Sequence, residues 1–327
     1  MKSRILITGV TGLIGKAVLA KLLSDDQLEL TALVRPHTNP ERYAGLPSRI
    51  DLVQIDLGDI PALTDFLANQ RFDVILHIGA LRGGRNATKK EFYRTNVEST
   101  EQLIEHALNT KCRLVFCSSV GVFGAIPDEM PANNETTRKD DNYYHYTKIM
   151  AEKAINQAIL RGLNAVIVRP AITYGIGDNG FPYGLVKLIA HRLFMVSNKN
   201  IWMHLCHIDT ITTALVNLAV SKTDIIGKSY NVADFEPVQL RDLVNFISRQ
   251  LVNTNYPKYL SIDNGLLHLG EKISRMLKNE LWVSRFELIS HSWFYHVSEA
   301  YQDLELPFHY TIPDFRLVVA DYKNTKR

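Results

Sequence analysis

Short runs that are apolar on both faces alternate with amphipathic stretches through the first half of this chain, and few folds accept that pattern. RILITG reads as a buried strand, and LIGKAVLAKLLS has its apolar positions at helical spacing. ELTALV and IDLVQID follow as strands, IPALTDFLA as a helix, FDVILHIGA as a strand and Lys89–Asn109 as one long helix. CRLVFCSS is a further strand, Tyr144–Leu160 a helix, and NAVIVRP another strand. A strand apolar on both faces must be covered on both, so the pattern predicts an α/β protein with a doubly wound parallel sheet. After about Gly175 the pattern loosens: YGIGDNGFPYG reads as a loop, SYNVAD as a late strand and LRDLVNFISRQL as a helix. From Asn253 onward, Pro-containing loops mix with helices, which suggests a smaller C-terminal part interleaved with the sheet.

Several function classes fall away on charge and composition. With 37 basic and 34 acidic side chains the net charge is +3, too small an excess to argue for nucleic acid or an acidic membrane. Cys112, Cys117 and Cys206 are odd in number and show no CxxC spacing, which fits a reducing cytoplasm rather than a disulfide framework. The start, MKSRILITG, runs directly into a strand, and no uninterrupted apolar stretch reaches the roughly 18 residues of a membrane span. A soluble cytoplasmic protein is expected.

ITGVTGLIG sets Gly9, Gly12 and Gly15 between the first strand and the first helix. A helix N-terminus offers unpaired N–H groups and the positive end of a dipole, where a diphosphate can sit. Glycine serves the tight turn at Gly9, close ligand approach at Gly12 and helix–strand packing at Gly15. The strand–turn–helix context makes this a dinucleotide site.

The GxxGxxG spacing and five later segments of the chain resemble the extended short-chain dehydrogenase/reductase family, the NAD(P)-dependent epimerase/dehydratase group. LHIGA (Leu76–Ala80) is similar to that family's HLAA, CSSVGVFG to SSxxVYG, VRPAITYG to RPxxxYG, CHIDT to HVDD and YNVAD to YNVG. The likeness is strong through about Val232 and fades beyond. It implies a Rossmann-type cofactor domain over residues 1–175, with 201–232 returning to it, and a substrate-binding part over 176–200 and 233–327. It implies cofactor contacts from Gly9, Thr11, Gly12, Leu13, Ile14 and Gly15 at the turn, and from Asp56 and Leu57 at the end of the third strand, beside adenine. Gly79, Ala80 and Leu81 after the fourth strand, Asn96, Lys148, Pro170 and Ile172 complete that set.

DDNYYHYTKI contains three tyrosines, and the family's YxxxK element chooses among them. Tyr143 has Thr147 four residues on and Tyr146 has Met150; only Tyr144 has a lysine, Lys148. On a helix these two share a face, and a nearby ammonium is expected to lower the phenol's pKa, making Tyr144 a general acid/base. Tyr143 and Tyr146 are left to packing or the substrate pocket. The third catalytic member, five residues before Gly124 in the SSxxVYG-like segment, is Ser119, with Ser118 its neighbour. By resemblance Lys148 also reaches the nicotinamide ribose.

Two departures bear on substrate. Nucleotide-sugar relatives carry an asparagine where this chain has Ile172 and an arginine where it has Met203. Both are diphosphate-binding positions, so a less charged substrate is expected, and the aromatic stretch NGFPYGLV with Trp202 agrees. The reading is an NADP(H)-dependent oxidoreductase acting on a carbonyl/secondary-alcohol pair by Ser119, Tyr144 and Lys148. A nucleotide-sugar epimerase or dehydratase, and a non-catalytic NAD(P)-sensing protein, stay open as alternatives. For the cofactor, the second strand ends at Arg35 with no carboxylate to take the ribose hydroxyls, which favours NADP, with NAD as the alternative. The loop Leu81–Lys90 is a candidate lid. His204, His207 and Asp209, with Cys206, have the residue types of a metal site, but strand alternation separates neighbours and the family matches His207 and Asp209 without one, so no metal is expected. By resemblance to relatives that pair through their two long helices, here about Lys89–Asn109 and Tyr144–Leu160, a homodimer is expected.

Overall fold

The structure, a computed structural model, describes residues 2–43, 45–82, 87–220 and 225–325. Seven parallel strands form the central sheet: β1 (Ser3–Thr8), β2 (Leu28–Val34), β3 (Ile50–Gln54), β4 (Val74–His77), β5 (Arg113–Cys117), β6 (Ala165–Pro170) and the strand Ser229–Val232. From one edge to the other the order is Ser229–Val232, β6, β5, β4, β1, β2, β3, every neighbouring pair parallel. Chain order reverses between β1 and β4, and there the crevice beyond the strand ends opens to a ligand.

Side-chain alternation explains the double cover. Ile5, Ile7, Ala32, Leu76, Val115 and Val168 belong to one buried cluster, with the helix α1 (Leu13–Leu22) and the helix Ile208–Val220. The residues between them, Leu6, Leu33, Ile75, Leu114, Phe116 and Ile167, belong to a second cluster. That face carries α2 (Ile60–Ala68), α4 (Ser99–Thr110) and α5 (Tyr143–Ile159). The first cluster continues without a break into the C-terminal part through Leu185, Val186, Leu243, Val244, Trp293 and Phe315. Three two-stranded pairings stitch that part together: Ile172–Tyr174 with Leu205–His207, Trp202–Met203 with Val238–Gln239, and Val196–Ser197 with Ser261–Ile262. No helix among the described residues is long and apolar enough to cross a membrane.

Two local expectations are corrected. The helix expected over Lys89–Asn109 is α3 (Lys89–Tyr93), a π-helical turn over Arg94–Glu98, then α4. Asn96 sits in that turn, where the wider winding re-aims a side chain. The third strand ends at Gln54, short of Asp56 and Leu57. Its partner β2 stops at Val34, opposite Gln54, and Asp56 then turns the chain by accepting the Gly58 N–H at 2.8 Å.

Candidate active site

Backbone shapes one half of the site. Gly9 has φ +78°, and a Cβ there would lie 2.6 Å from the Gly79 nitrogen, so the turns after β1 and β4 touch only because both are glycine. A Cβ on Gly15 would fall 2.1 Å from the Gly9 carbonyl oxygen, which seats α1 directly on the turn. Gly12 is the N-cap of α1 and no side chain caps the helix, so first-turn N–H groups are left for an anionic ligand. A Cβ at Gly12 would meet nothing closer than the Gly9 carbonyl oxygen at 3.4 Å. The cradle therefore fits a dinucleotide diphosphate in both shape and donor chemistry.

A directed chain of hydrogen bonds braces that cradle. Gly79 N–H donates to Thr8 Oγ1 (2.9 Å), whose hydroxyl meets His77 Nδ1 (2.8 Å), while His77 Nε2 meets Thr100 Oγ1 (3.0 Å) and Thr100 donates to the Asn96 carbonyl (2.8 Å). Thr8 and Thr100 each have one hydroxyl proton, so these partners assign the His77 proton to Nε2. Burial first, and then the Lys148 charge, push the His77 pKa down to about 3, consistent with a neutral ring. Asn96 is buried with both ends of its amide engaged: it accepts from Leu81 N–H (2.8 Å) and donates to the Leu81 carbonyl (2.9 Å) and to Thr147 Oγ1 (3.0 Å). It thereby ties the loop after β4 to α5. Residues 83–86 of the candidate lid lie outside the described residues.

At the adenosine end, Arg35 follows β2 and is exposed. Sequence reasoning missed a second cation there: Arg42 Nη2 donates to the Thr11 carbonyl at 3.2 Å. The fold back from Arg35 to Arg42 depends on a short 3₁₀ turn over Pro40–Arg42, capped by Asn39, and Asn-Pro was its local signal.

Side chains make the other half. Ser119 leaves the end of β5, accepts the Gly121 N–H at 3.0 Å and lies within hydrogen-bonding reach of the Tyr144 phenol. Tyr144 and Lys148 sit one turn apart in α5, whose first turn is capped by Asn142 through the His145 N–H at 2.9 Å. The structure separates the two serines. Ser118 turns inward and donates to Glu152 Oε1 (2.6 Å), and Glu152 takes a two-pronged bond from Arg169 in β6 at 2.8 Å each. The spacing of Glu152, four residues after Lys148, was the available signal for this buried network.

The expected electrostatics of the pair is not met. Burial, then the neighbouring Cys117, push the Tyr144 pKa up to about 12 against the opposing pull of Arg82 and the Ser119 hydrogen bond. Lys148 is engaged at the end of β5. Its ammonium donates to the Cys117 carbonyl (2.8 Å) and lies 4.6 Å from the centre of the Phe116 ring. Burial pulls its own pKa down to about 8, with Cys117 and Glu152 resisting. Tyr143 and Tyr146 stack on each other with centroids 5.3 Å apart.

The histidines singled out by sequence have separate partners. His204 Nε2 bonds the Asp234 carbonyl at 2.7 Å, while the His207 ring stacks on His309 at 3.9 Å. One group among the described residues, His268, Glu271 and His291, has the spacing to hold a cation, and Glu271 Oε1 in that group is already paired with Arg275 at 3.0 Å.

Comparison with known proteins agrees with this architecture. A ketoreductase of Stigmatella aurantiaca, named for a 4-hydroxy-2-methyl-3-oxo-4-farnesyl-3,4-dihydroquinoline-1-oxide, is 26% identical over 84% of this chain and 81% of its own length. UDP-glucose 4-epimerase 2 of Arabidopsis thaliana is 27% identical over 58% of this chain, which spans 59% of that relative. A UDP-glucuronic acid 4-epimerase from Bacillus cereus, solved in complex with NAD, superposes with a TM-score of 0.76 over 99% of this chain and all of its own, at 18% identity. A model of the NAD dependent epimerase/dehydratase family matches residues 5–233. The glycine cradle, the Ser119–Tyr144–Lys148 grouping and that match together show that this chain is an enzyme of the NAD(P)-dependent epimerase/dehydratase family.

Proposed function

We propose that the protein is an NADP(H)-dependent oxidoreductase that interconverts a carbonyl and a secondary alcohol, with Ser119, Tyr144 and Lys148 as its catalytic residues. The observation that carries this is the placing of Tyr144: a half-buried phenol within reach of Ser119, with desolvation holding its pKa above the ordinary value. Such a phenol keeps its proton at neutral pH, which is what reducing a carbonyl requires of an acid. A bound nicotinamide dinucleotide supplies the hydride. Ser119 holds the substrate oxygen by hydrogen bonding, Tyr144 delivers its proton to that oxygen, and Lys148, one turn on, carries the positive charge next to the ribose.

The substrate side supports a weakly charged compound. Met203 is fully buried in its strand and Ile172 is half-buried, so neither position offers a donor to a nucleotide diphosphate. Each missing charge-assisted bond forfeits about 1.5–3 kcal/mol. The ketoreductase relative also matches far more of this chain than the nucleotide-sugar epimerase does, 84% against 58%. We assign residues 1–175 and 201–232 to cofactor binding and residues 176–200 and 233–327 to substrate binding. Turnover of NADPH with a panel of ketones tests the activity. Stabilisation by nucleotide sugars, with no turnover of any ketone, would overturn it in favour of an epimerase or dehydratase.

The preference for NADP rests on Arg35 and on the absence of a carboxylate at the tip of β2, with Arg42 a second cation at the same end. The solved neighbour carrying NAD is too distant, at 18% identity, to bear on that choice. A phosphate pair of about 1.5–3 kcal/mol favours NADP by roughly 10- to 150-fold, and Arg35→Asp reduces or reverses this in calorimetry. Equal or tighter binding of NAD by the unaltered protein would overturn it. We further propose a homodimer through the α3–α4 and α5 helices; a monomer mass in light scattering at micromolar concentration would remove that. Three buried, unpaired cysteines support a cytoplasmic location.

A further inference from the structure

One titratable pair on the catalytic rim is not used by the chemistry above. His145 follows Tyr144 directly, and their ring centroids are 5.7 Å apart. Its Nδ1 is hydrogen-bonded to Asp141 Oδ1, and Asn142 Nδ2 lies 2.8 Å from the same nitrogen and 3.2 Å from that carboxylate oxygen. The other Asp141 oxygen accepts the Ala125 N–H. Burial alone would raise the Asp141 carboxyl, but its bonds to His145 and Ala125 and the Lys139 charge carry it below its ordinary range. An ionised Asp141 can only accept, so it holds the imidazole proton on Nδ1, and Asn142 Nδ2 donates to the same carboxylate oxygen. Nε2 is then the acceptor nitrogen, and it makes no hydrogen bond among the described residues.

The position of that nitrogen gives it meaning. A Cβ built on Gly121 would lie 2.4 Å from both His145 Nε2 and Cδ2, and 3.2 Å from Ser119 Oγ. The imidazole edge therefore occupies the space that any side chain at position 121 would take, beside the serine hydroxyl. Gly121 and His145 fit together: the ring reaches the rim only because residue 121 has no side chain.

We propose that His145, oriented by Asp141, is a substrate-contacting residue that selects carbonyl compounds bearing a hydroxyl on the carbon next to the reacting one, a role resting on the carbonyl-reductase reading above. With the reacting oxygen at Ser119 and Tyr144, an acceptor on the far side of the shared point can take the neighbouring hydroxyl. Two oxygens on adjacent carbons can bridge that spacing.

The test is a specificity ratio measured with the full-length protein and NADPH: kcat/KM for acetoin over 2-butanone, and for benzoin over deoxybenzoin. The unaltered enzyme favours the hydroxyketone by about 10-fold or more. His145→Ala and Gly121→Ala both collapse that preference, the second because its Cβ displaces the ring, while His145→Gln, which keeps an acceptor near the Nε2 position, retains part of it. A ratio unchanged in His145→Ala, including an equal loss on both members of a pair, would show that the ring only packs and would overturn the proposal. If no ketone is turned over, the reductase reading fails, and calorimetry of the NADP⁺-loaded protein with the same pairs decides the contact separately. Tighter hydroxyketone binding that is lost in His145→Ala sustains it, and equal affinity for both members overturns it.

Discussion

The two halves of the candidate site are built from different materials. At the Gly9–Gly15 turn backbone does the work: a side chain at Gly15 would be 2.1 Å from a carbonyl oxygen, and the ligand-facing groups are uncapped N–H donors. On α5 the work falls to side chains, and their properties depend on surroundings: burial is the main cause that moves Tyr144 to about 12 and Lys148 to about 8. A backbone site has a geometry that few sequences can encode, and its chemistry comes with the geometry. A side-chain site keeps its residue types under many environments and changes its chemistry with each.

The largest effect expected from this contrast is on rate. Tyr144→Phe keeps the half-buried ring and removes only the transferable proton, so turnover falls by about 100- to 10,000-fold while cofactor affinity is nearly unchanged. A parallel loss of cofactor affinity, seen by calorimetry, would mean the two halves are not separable. Near-normal turnover, with Tyr143→Phe or Tyr146→Phe inactive, would identify a different acid.

Next in size is a stability effect confined to α5. Lys148 has its pKa pulled from 10.5 to about 8 by burial, so between those values the unfolded chain binds a proton that the folded chain does not. Stability therefore rises with pH across that window, and the cost of burying the ammonium is fully present below it. A shift of that size corresponds to a change on the order of 3 kcal/mol. Urea unfolding of the unaltered protein and Lys148→Met, compared from pH 7 to 10.5, should show the unaltered protein gaining on the variant. Parallel stability curves would mean that Lys148 keeps its ordinary pKa in the fold.

The smallest effect sharpens the comparison from the other side. Gly15→Ala forces α1 away from the turn and costs about 1–3 kcal/mol of stability. Gly12→Ala, whose Cβ meets nothing closer than 3.4 Å, should fold with normal stability and lose dinucleotide affinity. If the two variants behave alike in thermal unfolding and in calorimetry, the turn does not divide into a packing glycine and a ligand glycine.

Much of the fold was legible because it is periodic. Each of the seven strands of the sheet overlaps a run that reads as a strand, and α1 starts directly after Gly12, as the strand–turn–helix pattern implied. Boundaries were less legible where a partner decides them. β3 stops at Gln54 because β2 offers nothing past Val34, and the helix over Lys89–Asn109 is broken by a π turn that local propensity does not announce.

Chain spacing by itself determined the sheet and the glycine cradle, since each is written within about ten residues and follows from backbone geometry. The choice of Tyr144 and Ser119 came instead from the resemblance of their segments to family motifs. Tertiary structure decided what those residues are chemically. Ser118 is excluded by Glu152, 34 positions away, and Glu152 is held by Arg169 from another strand. Desolvation and the neighbouring Cys117, 27 positions back, push the half-buried Tyr144 phenol up, and Lys148 turns to the Cys117 carbonyl, 31 positions back. His145 reaches the rim because Gly121 leaves room for it. Desolvation and long-range contact depend on which segments meet in space, and that is information a local pattern of residues does not contain.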